Sequence, residues 1–379
     1  MIKTTLQKYW FNILGTLILC GVFFGLGWWV NERSGSADEQ LVEAAYQTAS
    51  GESIFNQQSS QELSYAAIRG MLSTIDDPYA ELIEPEAAQN FDNTFHGKTG
   101  VVGLYTTNKN KQVLISIVFP NGAAEQAGLR VGDALLAIDG KDLDAEANSS
   151  ETGLLLRGVP GSPVHLKIER DGKVLEYDLI RKEQQFVFSQ MLADRIGYIS
   201  LSAYNQTASQ QMKQVLENLL QQKPVGLIWD LRNNEGGDMQ AAQEILSYFI
   251  EDGLLFTAQL TRGRTVAFRA KGGAIMADIP LVVLIDKTTY SAAETSAAAI
   301  AETGRGKTVG STSYGKGVIQ ATIGLPGKAM LQMTVAKWLS PSGEWYHERG
   351  VSAQIAASDD PSTEPDELLQ KAIDILQGK

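Results

Sequence analysis

Three short segments carry residue types that could perform acyl transfer. The first, Asp230-Leu-Arg-Asn-Asn-Glu-Gly236-Gly237, follows a nearly all-apolar run. Paired glycines let backbone N–H groups approach a ligand closely, as an oxyanion hole requires. The same residues also suit a plain strand-to-helix turn. The second, Ser291-Ala-Ala-Glu294, opens a helical stretch after another apolar run. A serine at a helix start meets the positive potential of unpaired N–H groups, which favours an oxyanion. Ser-x-x-Glu is equally the capping-box pattern. The third, Ser313-Tyr-Gly315-Lys316-Gly317-Val-Ile-Gln320, sets a lysine between two glycines amid apolar residues. Desolvation would lower that lysine's pKa and let its amine act as a general base toward a serine hydroxyl. An exposed lysine in a turn is the competing reading, and the spacing does not match a P-loop.

The residues that are scarce narrow the chemistry. Cys20 is the single cysteine and lies in the apolar N-terminal stretch. An intramolecular disulfide, a cysteine-rich metal site and a cysteine nucleophile in the soluble part are thereby excluded. Of three histidines, His96 and His165 fall before or within a strand-rich module, and only His347 shares the later part of the chain with Ser291. A serine–histidine–aspartate triad through His347 has no supporting spacing. The net charge of −12 argues against nucleic acid or anionic headgroups as main partners, since both select clustered Lys and Arg.

The elements that must position these residues follow from hydropathy patterning. Residues 11–30 form an apolar stretch long enough to span a bilayer, preceded by Lys3 and Lys8 and ending at Trp28 and Trp29. This predicts an uncleaved single-pass anchor with the rest of the chain extracytoplasmic, on the periplasmic or extracellular side. Residues 39–92 have helical spacing broken by Pro78 and Pro85. Residues 97–184 read as short strands, with a hairpin at Asp171-Gly172. From residue 185 strands and helices alternate: 196–201, an amphipathic helix around Met212 to Leu219, 225–229, 281–285, and a helix from Ser291 to Glu302. That rhythm predicts an α/β layered core. Residues 361–366 read as a surface loop.

Taken in order, the motifs resemble the carboxyl-terminal processing peptidases, or tail-specific proteases. The resemblance starts at Gly70-Met-Leu-Ser-Thr-Ile-Asp-Asp-Pro-Tyr79 and continues through Asn121-Gly-Ala-Ala-Glu-Gln-Ala-Gly-Leu-Arg-Val-Gly-Asp, which is similar to a PDZ core. Leu156-Arg-Gly158 with Gly161, the three segments above, Pro341-Ser-Gly343 and Gly350 complete it. The chain departs from the family pattern at Thr288-Thr-Tyr290, which is bulkier than usual before the nucleophile. It departs also at Glu235, and at Gly350-Val-Ser-Ala-Gln-Ile, which lacks a Pro-Asp.

The resemblance implies a fold and a set of roles. The fold would be an α/β protease core of crotonase/Clp-like type (185–379) with an inserted PDZ-like β-rich domain (97–184). An N-terminal helical region (37–96) and a transmembrane segment with linker (1–36) would precede it. Ser291 would be the nucleophile and Lys316, 25 positions later, the general base. Gln320 would hold the lysine and Glu294 would support the same network. Backbone N–H groups near Gly236, Gly237 and Ala292 would form the oxyanion hole. Gly100, Val101, Val102, Gly103, Leu104 and Arg157 would bind a peptide C-terminus by strand addition. Neither cofactor nor metal is expected. Expected partners are protein substrates with accessible C-termini, and a homo-oligomer or adaptor remains open. Two other classes stay open: an anchored, inactive PDZ scaffold and a small-molecule acyl hydrolase.

Overall fold

A computed structural model describes residues 37–55, 57–85, 87–89, 99–109, 111–118, 122–144, 149–358 and 366–379. The expected anchor at 11–30, Cys20, His96, Asn121 and most of the 361–366 loop lie outside them. Among the described residues no helix is long and apolar enough to cross a membrane. The chain divides into two units between Asp76 and Asp77.

Among its described residues the first unit holds two helices, α1 (Ala37–Gly51) and α2 (Ser60–Leu72). Ser59 and Glu62 close a reciprocal capping box at the start of α2, satisfying two N–H groups that a helix end otherwise leaves unpaired.

The second unit opens with β1 (Glu81–Ile83), which the sequence reading had placed in the helical region. A strand-rich module follows: β2 (Gly100–Val101), β3 (Leu104–Lys109), β4 (Gln112–Val118), the short helix α3 (Ala123–Gln126), β5 (Ala134–Ile138) and β6 (Lys141–Asp142). It continues with helix α4 (Ser149–Leu156), β7 (Pro163–Arg170), β8 (Lys173–Ile180) and β9 (Lys182–Glu183). Its main sheet runs β3-β4-β5-β7-β8, so β3 is an edge strand, and α4 packs along it. The hairpin expected at Asp171-Gly172 is present, with both residues at positive φ and β7 paired to β8 over its full length. A separate apolar core built on Ile115, Leu135, Leu166 and Ile168 fills this module.

The remainder is the α/β part anticipated from the alternating elements. Its strands are β10 (Val187–Met191), β11 (Ile196–Leu201), β12 (Gly226–Asp230), β13 (Leu254–Leu260), β14 (Thr265–Arg269), β15 (Leu281–Ile285), β16 (Lys307–Gly310), β17 (Val318–Gly324), β18 (Met330–Leu339) and β19 (Ile355–Ala356). Its helices are α5 (Gln206–Gln221), α6 (Met239–Ser247), α7 (Ala292–Glu302) and α8 (Glu367–Leu376). One sheet has the order β10-β11-β12-β15-β16-β19, parallel from β11 to β19. β12 and β15 are buried at every position, and the period of two splits their side chains between two cores. Leu227, Trp229, Val283 and Ile285 join the core that contains α5, α6 and α7, whereas Ile228, Val282 and Leu284 meet α8. A second, antiparallel sheet, β1-β18-β13-β14 with β17 on β18, supplies Phe256 and Trp338 to the larger core.

This topology explains why three distant motifs converge. β12, β15 and β16 are parallel neighbours, so their carboxyl ends lie along one rim of the sheet. The segments starting at Leu231, Asp286 and Ser311 all leave from that rim, where open α/β sheets characteristically bind ligands.

Candidate active site

The 231–238 loop is shaped from within by Asn234, which is fully buried. Its Nδ2 donates to the Leu201 carbonyl at 2.6 Å and its Oδ1 accepts the Gly236 N–H at 2.8 Å. Its own carbonyl accepts the Tyr290 N–H at 3.1 Å, tying this loop to the serine turn. Gly237 has φ +136°, and a Cβ there would stand 2.2 Å from the Tyr204 carbonyl oxygen, so no other residue fits. At the loop's start, Arg232 bridges Asp230 and Asp366 with 2.7 Å contacts to each, joining β12 to the N-cap of α8.

The serine turn is latched to this loop by the two threonines that depart from the family pattern. Thr289 Oγ1 donates to the Leu231 carbonyl at 2.8 Å, and Thr288 Oγ1 accepts the Asn233 N–H at 3.1 Å and bonds Asp286. Ser291 follows with φ 60° and ψ −123°, a conformation that L-residues rarely adopt. Such strain survives only where surrounding bonds over-determine it, and it concentrates at functional positions. Ser291 stands at the N-cap of α7 in the capping-box arrangement, yet no ordinary capping hydrogen bond holds its side chain.

Glu294, one turn into α7, is the hub of the arrangement. It is fully buried. Its Oε2 accepts both the Ser291 N–H and the Lys316 N–H, each at 2.8 Å. Its Oε1 accepts the Ser313 hydroxyl and the Gly315 N–H, each at 2.6 Å. Burial raises the Glu294 carboxyl above the usual range, while the four donors, led by the Ser313 hydroxyl, work in the opposite direction. Three of those donors are backbone N–H groups that can only donate, which favours the carboxylate. Residue types alone gave no hint of Ser313. It is buried, and its hydroxyl also accepts the Val351 N–H at 2.7 Å.

Lys316 is fixed at its backbone by Glu294 on one side and by the Trp338 indole, which donates to its carbonyl at 2.8 Å, on the other. Its ammonium lies 5.8 Å from the Tyr290 ring centroid and 5.0 Å from that of Tyr79. Burial pushes the Lys316 pKa below the ordinary lysine value, and the Glu235 and Glu294 carboxylates pull it partway back. Burial raises Tyr290, and the charge of the Glu235 carboxylate raises it further.

The structure brings Ser291, Glu294, Lys316, Gly236, Gly237 and Ala292 into one place and corrects three details. The expected Gln320 tether to the lysine is not made among the described residues: no hydrogen bond joins the two side chains, and the Gln320 Nε2 is also buried without a partner. Gly236 cannot offer its N–H to a ligand, because Asn234 already accepts it. Its contribution is the lack of a side chain: a Cβ would lie 2.7 Å from Ser291 Cβ. The N–H groups of Gly237 and Ala292 have no acceptor among the described residues. In the strand-rich module, Gly100 exchanges both backbone groups with Gly158 and cannot pair a peptide. Val101 pairs with Lys182, and the buried Val102 gives its carbonyl to the Ala124 N–H. Gly103 turns the chain at φ +79° into Leu104, the start of the β3 edge, and Arg157 follows the end of α4.

The histidines take other roles. His347 Nδ1 accepts the Gly317 N–H at 3.2 Å and its ring stacks on Trp345. His165 is surface-exposed, and its hydrogen bond to Asp178 raises its pKa.

Comparison with known proteins places the chain in a family. Residues 195–357 match the model of peptidase family S41, and residues 100–180 match the PDZ domain. The carboxyl-terminal-processing protease of Synechocystis sp. is 31% identical over 334 residues, covering 84% of this chain and 78% of that protein. The carboxy-terminal processing protease CtpA of Bacillus subtilis is 30% identical, covering 86% of this chain and 68% of that one. A solved structure of the photosystem II D1 C-terminal processing protease superposes with a TM-score of 0.54 at 26% identity, covering 87% and 95% of the two chains. The chain therefore belongs to the carboxyl-terminal processing proteases of peptidase family S41, serine-type peptidases, and carries a PDZ domain.

Proposed function

We propose that Ser291 and Lys316 are the nucleophile and general base of an endopeptidase, and that the PDZ domain presents substrate C-termini to them. The observation that carries the dyad is the shared carboxylate oxygen of Glu294, which holds the backbone N–H groups of both residues at 2.8 Å. Neutral Lys316 takes the Ser291 hydroxyl proton as Oγ bonds to the peptide carbonyl carbon, and the developing oxyanion is met by the Gly237 and Ala292 N–H groups. The protonated lysine returns that proton to the departing amine as the C–N bond breaks. Water then attacks the acyl-enzyme with the lysine again as base.

The finer fold reading is a crotonase/Clp-like core, supported by the parallel sheet and by a nucleophile-bearing helix that starts beyond β15. The groove between the β3 edge and α4 has the form that accepts an extended peptide as an added strand, with Arg157 at its end as the candidate carboxylate contact. Residues 11–30 support a single-pass anchor that leaves residues 37–379 extracytoplasmic. An inactive scaffold would have no use for a strained Ser291 and a half-buried lysine held on one carboxylate.

The test uses the full chain in detergent micelles with two otherwise identical unstructured peptides, one ending in a free carboxylate and the other in an amide. A charge-assisted hydrogen bond is worth about 1.5–3 kcal/mol, so amidation should lower kcat/KM by about tenfold or more. Equal cleavage of both peptides would show that tails are not read through their carboxylate.

A further inference from the structure

The lysine has one wall that comes from neither its own segment nor the serine turn. Tyr79 lies near the start of the second unit, and its ring centroid is 5.0 Å from Lys316 Nζ. The ring is not loosely placed. Asp77 Oδ2 accepts the Thr334 N–H at 2.8 Å, and Asp77 Oδ1 accepts the Thr334 hydroxyl at 2.9 Å and the Tyr79 N–H at 3.0 Å. Pro78, between them, restricts the turn. Immediately after, β1 pairs with Met330, Leu331 and Gln332 of β18. Thr334 sits opposite Gln320 in the β17–β18 register, and β17 begins two residues after Lys316. The strap from Asp77 to Ile83 is thus stitched to the strand that neighbours the lysine's own.

We propose that Tyr79 is a positioning residue for Lys316: its ring, latched by Asp77 and Thr334, closes the amine against Tyr290 and keeps water from it. The base is then complete only when the strap is docked. This rests on the reading of Lys316 as general base.

The groups that face the amine set the direction of the effect. Glu235 approaches from the loop after β12 and Glu294 from α7, and both favour the ammonium. Tyr290 comes from the serine turn, and Tyr314, on the lysine's own segment, packs 5.3 Å from it. Tyr79 itself is raised, first by burial and then by Tyr314, Asp77, Glu294 and Glu348. An aromatic face attracts an ammonium, but the same ring excludes water, and burial is the largest influence on Lys316. Truncating the ring therefore admits water, stabilises the ammonium and raises the pKa of the base.

The experiment measures kcat/KM against pH for the full chain in detergent, with an unstructured peptide substrate. The parent is compared with Tyr79→Phe, Tyr79→Ala, Thr334→Val and Lys316→Ala, with a thermal melt for each. Tyr79→Phe should overlay the parent within about twofold, since it keeps the ring. Tyr79→Ala should move the acid limb up by about one pH unit, costing about tenfold at neutral pH, and Thr334→Val should move it in the same direction. A parental or lowered acid limb in a folded Tyr79→Ala protein, or in Thr334→Val should the alanine variant unfold, overturns the inference. Lys316→Ala separates the two claims. Activity that survives it removes the base reading itself, whereas its loss beside a parental Tyr79→Ala profile removes only the role of Tyr79.

Discussion

Lys316→Ala should lower kcat/KM on an unfolded protein by about 10²–10⁴-fold, the usual contribution of a positioned general base. Ser291→Ala should cost more, on the order of 10⁶, because the covalent route is lost altogether. The double variant should be scarcely worse than Ser291→Ala alone, as residues that act in one proton transfer do not contribute additively. Neither substitution should lower the melting temperature. Ser291 makes no ordinary capping bond through its side chain, and the bonds that fix Lys316 run through its backbone. The pH profile follows from the burial of the lysine. With Lys316 as the proposed base, the active form is the neutral amine, so kcat/KM should rise with pH through the lysine's pKa and then level. Because burial lowers that pKa, the rise ends earlier than for a solvated lysine. Steady-state cleavage of casein by parent and variants over a pH series reads all of this together.

Glu294→Ala should damage folding and catalysis at once. The carboxylate accepts the Ser313 hydroxyl and the N–H groups of Gly315, Ser291 and Lys316 at a site without solvent. Leaving a buried donor unpaired costs about 1–3 kcal/mol, so four orphans amount to several kcal/mol. For a domain of this size each kcal/mol is worth about 2–4 °C, which places the drop in melting temperature near 10 °C or more. The same loss unties Ser291 from Lys316, so kcat should fall even at temperatures where the variant is folded. Glu294→Gln keeps the shape and one acceptor oxygen but turns an amide NH₂ toward N–H groups. It should stay folded with kcat reduced by about tenfold or more, since misplacing reacting groups slightly is costly. A parental melt and parental rate for Glu294→Ala would mean that the hub is not one.

The α/β rhythm was readable because β15 is apolar throughout, β12 is apolar up to Asp230 and both are short, and because Met212 to Leu219 has a clear helical face. The hairpin at Asp171-Gly172 was readable because both residues adopt positive φ. The second sheet was not anticipated: β13, β17 and β18 carry mixed half-buried patterns whose meaning depends on which sheet covers them. Ser291, Glu294 and Lys316 could be named from type and spacing together with the family resemblance, but not what joins them. The four-donor role of Glu294 is a property of the loops after β15 and β16 meeting on one rim. Asp77 and Tyr79 were legible only as part of a motif, since their partner Thr334 lies 257 positions away from Asp77. Gln320 misled, since in the fold its Nε2 is buried without a partner. Gly236 was right in place and wrong in role, because only the folded loop shows Asn234 occupying its N–H.

If Lys316 makes Ser291 nucleophilic, the serine should react with an acylating or phosphonylating probe only while the lysine is present. The most direct measurement treats the folded full chain with a fluorophosphonate and follows the rate and site of labelling by peptide mass spectrometry across pH. A single label should appear on Ser291, at a rate that rises with pH along the same limb as cleavage and falls by about 10²-fold or more in Lys316→Ala. Labelling at another residue, or labelling of Ser291 at the same rate without Lys316, would contradict it.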